Sequence, residues 1–201
     1  MTEPKPLKYS ELPGLSARQL AEHHDVLYVG YCKKIDQIRD EIKSADLTKA
    51  NATWDAFREM KLEEGFAANG VILHERYFDN LSPAPAKPSV TLSAWLAEDF
   101  GSPEKWAEEF AAVAMSARGW AVLALDLADG KLRNYLADMH NQGGVWGCVP
   151  LIVMDVYEHA YFLDYATARK KYLETVMPLV DWAPANMMAE KLTGFRKAER
   201  G

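Results

Sequence analysis

The chain contains few cysteines and no long uninterrupted hydrophobic run. Its 201 residues include two cysteines, Cys32 and Cys148, which match neither a CxxC nor a zinc-type spacing. This usage favours reduced, buried thiols in a cytosolic protein over a disulfide framework. No apolar stretch approaches the roughly 20 residues that span a bilayer, so we expect no membrane-spanning helix. The polar residues that follow Met1 lack the apolar segment of a secretory signal, and we therefore expect a cytoplasmic location.

The chain also lacks an excess of positive charge. Its net charge is −6 at pH 7, which argues against nonspecific binding to nucleic acid or to an anionic membrane. Apolar residues make up 49% and charged residues 26% of the sequence, as is typical of globular proteins. A chain of this length suffices for one compact unit or for two small domains that share a core.

The most informative stretch joins an apolar run to potential metal ligands. The residues before Asp155 are apolar over a length typical of a strand, and His159 and several aromatic residues follow. Carboxylate oxygen and imidazole nitrogen together suit Mn, Fe or Zn better than Ca or Mg. A structural alternative stays open at this point, because a buried Asp that caps a turn beside a packed His has the same spacing.

The order of the remaining patterns predicts an α+β fold. Residues 1–15 are expected to be irregular, and Ser16 is a plausible N-cap for a helix that ends near residue 44. A second helix is predicted over residues 50–80, with a break near Gly65. The proline-rich residues 83–88 indicate a linker. We therefore divide the chain into an N-terminal antiparallel helical hairpin, residues 1–87, and a C-terminal α/β domain, residues 88–201.

The C-terminal domain is predicted to hold a three-stranded antiparallel sheet flanked by helices. Asp129-Gly130 is a strong hairpin signal between the first two strands. The third strand is expected to end at Asp155. The expected helices cover residues 93–100, 102–117, 166–177 and 185–197, and the first two strands cover residues 120–127 and 131–139.

Three separated segments resemble one protein family. The run P-L-I-V-M-D-V-Y-E-H-A-Y-F-L-D-Y resembles the C-terminal signature of the iron/manganese superoxide dismutases, usually D-x-W-E-H-A-Y-Y, with Tyr157 in place of Trp. The segments L-S-A-R-Q-L-A-E-H-H-D-V-L-Y-V-G-Y and G-F-A-A-N-G-V-I-L-H-E-R-Y-F-D-N-L-S-P resemble the first two helices of the family. The resemblance implies one Mn or Fe ion per subunit, with the ligands His23, His74, Asp155 and His159. His24 would point about 100° away from His23 on a helix and is the weaker candidate.

The resemblance also implies catalytic residues around the metal. Tyr31 matches the active-site gateway Tyr of the family. A Gln or a His in these enzymes hydrogen-bonds the metal-bound solvent, and two residues compete for that role here. His140 keeps the spacing of the His-type subgroup to Asp155 without a gap, whereas Gln142 requires a loop deletion. We favour His140. Gly70 stands where the iron enzymes commonly carry Gln, and we expect a side chain from the second domain to fill its space.

The implied activity is the disproportionation of superoxide to oxygen and hydrogen peroxide by an M(III)/M(II) cycle. The family's interface Glu matches Glu158, which implies a homodimer or a tetramer. Leu27 and Phe162 replace a His and a Tyr that commonly form a hydrogen bond across the dimer, so the active-site entrance is expected to be repacked. Two alternatives stay open: a catalytically weak or inactive relative with a binding or structural role, and a different mononuclear metalloenzyme on the same site.

Overall fold

The N-terminal half is a helical hairpin. In the computed structural model, which describes residues 2–200, helix α1 (Ala17–Ala21) continues through a π-helical segment (Glu22–Tyr28) into helix α2 (Val29–Ile42). Helix α3 (Ala56–Asp79) packs against α2. The pairs Tyr31–Gly70 and Arg39–Glu64 are in contact, so residue numbers rise along α2 as they fall along α3. The two helices are therefore antiparallel, as the sequence predicted.

Side-chain caps set the start of both helical segments. The Ser16 side chain accepts a hydrogen bond from Gln19 N–H, which confirms the predicted N-cap. Asp55 accepts from the N–H groups of Phe57 and Arg58, so α3 begins six residues later than expected from the predicted start at residue 50. The predicted break at Gly65 is wrong, because α3 runs through it without interruption.

The π-helical segment changes which side chains are buried. A π-helix closes its hydrogen bonds over one more residue than an α-helix does, and such segments are frequent at functional sites. In the sequence, Leu20, His23 and Leu27 recur near helical spacing, which predicts that Leu27 is buried. In the structure Tyr28 is fully buried, whereas Leu27 is only half-buried. Both His23 and His24 lie within this segment, and both are buried.

The C-terminal half is the predicted three-stranded antiparallel sheet with flanking helices. Its strands are β1 (Trp120–Asp126), β2 (Leu132–Ala137) and β3 (Cys148–Asp155), in the spatial order β2-β1-β3. The flanking helices are α4 (Val90–Phe100), α5 (Pro103–Ser116), α6 (Phe162–Tyr165), α7 (Arg169–Val176) and α8 (Ala183–Arg200), with short 3-10 turns at Glu158–Ala160 and Met177–Leu179. A further 3-10 turn, Leu47–Lys49, lies between α2 and α3. No helix within residues 2–200 is long and apolar enough to cross a membrane.

The end of strand β3 lies beside helix α3. The buried Asn80, just beyond α3, donates from its amide to Leu151 O (3.3 Å) and accepts from Val153 N–H (3.1 Å). Trp120 pairs with Asp155 across the sheet, so the first residue of β1 faces the last residue of β3. The chain therefore brings Asp155 to the helical hairpin at the place where α3 carries His74.

Candidate metal centre

The side chains of His23, His74, Asp155 and His159 converge on one point. One donor atom from each of these four residues lies within 4.8 Å of the others. Asp155 Oδ2 is 3.1 Å from His23 Nε2, 3.2 Å from His159 Nε2 and 3.5 Å from His74 Nε2. Two donors that are each about 2.1 Å from one ion, and about 90–120° apart, lie about 3.0–3.6 Å from each other. The observed distances fit donors that share a metal ion.

Four different elements supply the cluster. His23 comes from the π-helical segment, His74 from α3, Asp155 from the end of β3, and His159 from the 3-10 turn that follows. The Tyr157 N–H donates to Asp155 Oδ1 (2.9 Å), which leaves Oδ2 to face the three imidazoles. Tyr157 also stacks on the His159 ring, with centroids 5.0 Å apart. The Tyr that replaces the expected Trp therefore still packs on this imidazole.

The protonation of His74 tests whether the cluster fits a cation. His74 Nδ1 lies 2.6 Å from the carbonyl oxygen of Gly70 and must donate its hydrogen there. The opposite nitrogen, Nε2, then carries a lone pair, is buried, and has no hydrogen-bond partner within residues 2–200. This lone pair faces Asp155 Oδ2, and two electron-rich atoms repel each other unless a cation lies between them. The cluster therefore fits a bound metal ion.

The pKa shifts give the cluster the protonation states of metal ligands. Burial would raise the pKa of the Asp155 carboxyl, but the nearby imidazoles, His159 first, hold it well below its usual range. Burial lowers the pKa of His23, and lowers that of His74 to about 3 with a contribution from the neighbouring His23. A neutral imidazole, as at His23 and His74, and an ionised carboxylate, as at Asp155, are the forms that bind a divalent or trivalent ion.

His24 is buried but takes no part in the cluster. Its Nδ1 lies 2.7 Å from Asp25 Oδ1 and its Nε2 lies 3.0 Å from Lys5 O, so both ring nitrogens have partners. The prediction that His23 is the stronger candidate of the two adjacent histidines agrees with this geometry.

Tyr31 and His140 are joined beside the cluster. His140 is buried, and its Nδ1 accepts a hydrogen bond from the indole N–H of Trp120 (2.9 Å). Burial lowers the pKa of His140 to about 4, so the neutral ring carries its hydrogen on Nε2. This Nε2–H donates to the Tyr31 hydroxyl oxygen at 2.8 Å. The His74 ring lies 5.5 Å from that of Tyr31 and 5.6 Å from that of His140, between centroids.

Gln142 lies away from this group. Its side chain is exposed, in a turn where Gln142 N–H donates to Met139 O. The sequence named both Gln142 and His140, and the structure brings only His140 next to Tyr31 and the cluster.

The space beside Gly70 is filled from the first domain. A Cβ added at Gly70 would lie 3.0 Å from the ring of Tyr31. The expectation that a side chain from the second domain fills this space is therefore wrong, because α2 and α3 approach closely enough for the Tyr31 ring to occupy it. Gly70 has two roles visible in the structure: its missing side chain admits Tyr31, and its carbonyl holds His74.

A cavity of about 330 Å³ is lined in part by His140. Ile72, Val122 and Trp146 are among its other lining residues. None of the four cluster residues is among its lining residues. This lining gives no support to the alternative of a larger substrate bound beside the metal.

Sequence reasoning missed one buried polar contact next to the cluster. Gln19 lies one helical turn before His23, is buried, and hydrogen-bonds the backbone of His159. A Gln on the buried face of a helix that carries a ligand is the signal that could have found it.

Comparison with known proteins places the chain in a family. Residues 88–188 match the iron/manganese superoxide dismutases, C-terminal domain. The chain is also 39% identical over 194 residues to "Superoxide dismutase [Fe]" of Aquifex pyrophilus, an alignment that covers 94% of this chain and 91% of the relative. The chain therefore belongs to the iron/manganese superoxide dismutase family.

Its relatives include proteins named for each of the two metals. The chain is 38% identical to "Superoxide dismutase [Fe]" of Aquifex aeolicus, over 92% of this chain and 89% of that protein. It is 34% identical to "Superoxide dismutase [Mn] 2" of Haloferax volcanii, over 90% of each chain. The chain is thus similar both to relatives whose names specify iron and to relatives whose names specify manganese.

Proposed function

We propose that this chain is a superoxide dismutase that holds one Mn or Fe ion per subunit between His23, His74, Asp155 and His159. The observation that carries the proposal is the approach of three imidazole Nε2 atoms to one buried carboxylate oxygen at 3.1–3.5 Å. When bound, the ion supplies one-electron redox chemistry by alternating between its trivalent and divalent states. Overall, two superoxide anions and two protons become one O₂ and one H₂O₂.

The surrounding residues hold the ligands in place. The Gly70 carbonyl fixes the His74 tautomer so that Nε2 presents its lone pair to the ion. The Tyr157 N–H holds one oxygen of Asp155 and leaves the other oxygen for the ion. The carboxylate also offsets part of the positive charge of the ion in a buried site.

Tyr31 and His140 are the proposed catalytic pair. The Trp120 indole can only donate, so it keeps His140 Nδ1 an acceptor and the hydrogen on Nε2. Because that hydrogen bonds the Tyr31 oxygen, the Tyr31 hydroxyl hydrogen remains available to the reactants. Burial raises the pKa of Tyr31, which keeps the phenol protonated at neutral pH. We assign the donor role to His140 rather than to Gln142, because Gln142 is exposed.

The test combines metal content with superoxide turnover. Protein purified from its own source should contain Mn or Fe, and activity should vanish on metal removal and return with at least one of the two metals. His23→Ala should lose the metal, whereas the adjacent His24→Ala should keep it. Purified folded protein with neither metal would overturn the site. Metal-loaded protein without superoxide turnover would instead favour the inactive relative.

A homodimer is also proposed, in which Glu158 reaches His159 of the partner. Glu158 is exposed, and 30% of the His159 side chain is accessible in the single chain. Three large apolar side chains are exposed on neighbouring elements: Val26 on the π-helical segment, and Phe162 and Leu163 on α6. A second copy that covers this surface would bury both the apolar side chains and the open edge of the site.

The division into domains 1–87 and 88–201 and a cytoplasmic location are further proposals. Both cysteines are unpaired, which supports a reducing compartment. Fractionation of the source cells would test the location. Limited proteolysis, with cleavage expected near residues 83–88, would test the boundary.

A further inference from the structure

Gln19 is a buried side chain that joins two backbone positions. It lies in α1 and is 1% exposed. Its Nε2–H donates to the carbonyl oxygen of His159 (2.6 Å), and its Oε1 accepts from the N–H of Leu163 (3.0 Å). The amide nitrogen and the amide oxygen of Gln19 therefore both hydrogen-bond to the segment that follows β3. A buried amide with this pattern fixes the separation between its own helix and the bound segment.

The segment that Gln19 binds has little support of its own. His159 lies in a three-residue 3-10 turn, and α6, which contains Leu163, has four residues. Neither element has a side-chain hydrogen bond at its N-cap. The first N–H groups of a helix need acceptors from outside it. Gln19 supplies one of these acceptors from another element of the fold.

The other cluster residues are held differently. His74 lies within a helix of 24 residues, and Asp155 belongs to a strand paired along its length with β1. His159 has no comparable regular structure, so its position depends more on side chains from elsewhere.

Two neighbouring hydrogen bonds join the same two segments of the chain. The backbone N–H of Ser16 donates to Asp164 Oδ2 (2.7 Å), and the Tyr165 hydroxyl donates to Gly14 O (2.6 Å). Residues 14–19 and 159–165 are thus joined at several points, and Gln19 makes the contact at the cluster residue itself.

We propose that Gln19 is a positioning residue for His159. It ties the helix that leads into His23 to the turn that carries His159, and so fixes the distance between these two imidazoles. The inference rests on the proposed metal site. It predicts that the loss of Gln19 speeds release of the metal, in addition to any decrease in the stability of the fold.

The test compares Gln19→Met with a matched control. Methionine keeps the length and the apolar volume of the side chain but leaves the His159 carbonyl and the Leu163 N–H without their partner. The control is Asn186→Leu, because the Asn186 amide likewise bridges two backbone positions, Lys87 O and Ser89 N–H, far along the chain from the cluster. Both variants are loaded with Mn²⁺, and thermal unfolding and metal release to a chelator are measured well below the unfolding temperature.

Gln19→Met is expected to release Mn²⁺ roughly tenfold faster than the wild type, because both hydrogen bonds of the Gln19 side chain to this segment are lost. Asn186→Leu should be less stable yet release the metal at the wild-type rate. Gln19→Glu keeps the acceptor for Leu163 but turns a second oxygen toward the His159 carbonyl, so it should release the metal faster still. Wild-type release from Gln19→Met, with only its unfolding temperature lowered, would overturn the proposal.

A measurement on the unchanged protein covers the case in which Gln19→Met does not fold. If Gln19 couples this segment to the metal, Mn²⁺ binding should slow hydrogen exchange at the Leu163 amide more than at the Ser89 amide. The Ser89 amide serves as the reference because it donates to the side chain of the control residue, Asn186. Equal slowing at both amides would count against the proposal. Failure of the wild type to bind Mn²⁺ or Fe would instead overturn the proposed function, so the two failures are distinguishable.

Discussion

Replacement of His140 by Ala tests whether this side chain, rather than that of Gln142, supports catalysis. The change removes the acceptor of the Trp120 indole N–H and the donor to the Tyr31 oxygen. A buried N–H left without a partner costs about 1–3 kcal/mol, and the lost ring volume adds to this. We expect the free energy of unfolding to fall by about 2–4 kcal/mol, measured by urea denaturation of the metal-free protein.

The effect on catalysis should exceed the effect on metal binding. The Tyr31 hydroxyl loses the donor that orients it, and outer contacts of this kind change activity by about 10–100-fold. The metal content should stay near one ion per subunit, because His140 is not among the four cluster residues. Pulse radiolysis or a superoxide competition assay, normalised to metal content, measures the loss.

Two controls isolate the cause. His140→Phe fills the ring volume without hydrogen bonds, so it should recover part of the stability but little of the activity. Gln142→Ala alters an exposed side chain and should change the free energy of unfolding by no more than about 0.5 kcal/mol and leave turnover intact. If Gln142→Ala lost most activity while His140→Ala kept it, the assignment of the donor would be refuted.

Three further predictions concern α3, the metal-free protein and the oligomeric state. Gly65→Ala should stabilise the protein by about 0.5–1 kcal/mol, because no other side chain within residues 2–200 would lie close to the added Cβ. Gly70→Ala should destabilise it, because the added Cβ would displace the Tyr31 ring. Urea denaturation of both variants would refute this if the two substitutions changed the free energy of unfolding in the same direction. The pKa of His74 in the fold, about 3, lies below that of the unfolded chain, so the unfolded state takes up the proton first as the pH falls. Metal-free stability should therefore decline between about pH 6.5 and pH 3, by up to about 1.4 kcal/mol per pH unit from this group, and a flat urea profile from pH 7 to 5 would contradict it. Sedimentation at micromolar concentration should show a dimer that Glu158→Ala weakens, and a wild-type monomer would rule out the proposed interface.

The structure brings together the four residues that the sequence named as metal ligands, and strong local signals mark their positions. The apolar run before Asp155 predicted a strand that ends at this residue, and the structure bears out the end of β3. Ser16 and the Asp129-Gly130 turn likewise act through local hydrogen bonds and backbone preferences, which a sequence pattern records directly.

The failures arose where tertiary packing decides the outcome. A mid-helix glycine costs only about 1 kcal/mol, so neighbouring contacts keep α3 intact through Gly65. The π-helical segment shifted burial from Leu27 to Tyr28, and regular spacing cannot show an extra residue in a turn. The filling of the Gly70 site by Tyr31 depends on how closely two helices approach, which no local pattern records.

The burial of the cluster has a kinetic consequence. The side chains of His23, His74 and Asp155 are 0–1% exposed, and the fourth cluster residue, His159, has a side chain that is 30% exposed in the single chain. We expect exchange of a bound ion to depend on transient opening around the three buried residues, so that its rate follows how often the protein opens rather than how tightly each metal binds. Because His23 and Asp155 are separated by 132 residues of chain, the site can close only after most of the fold has formed. We therefore expect the folded molecule to retain the ion that is abundant when the site closes.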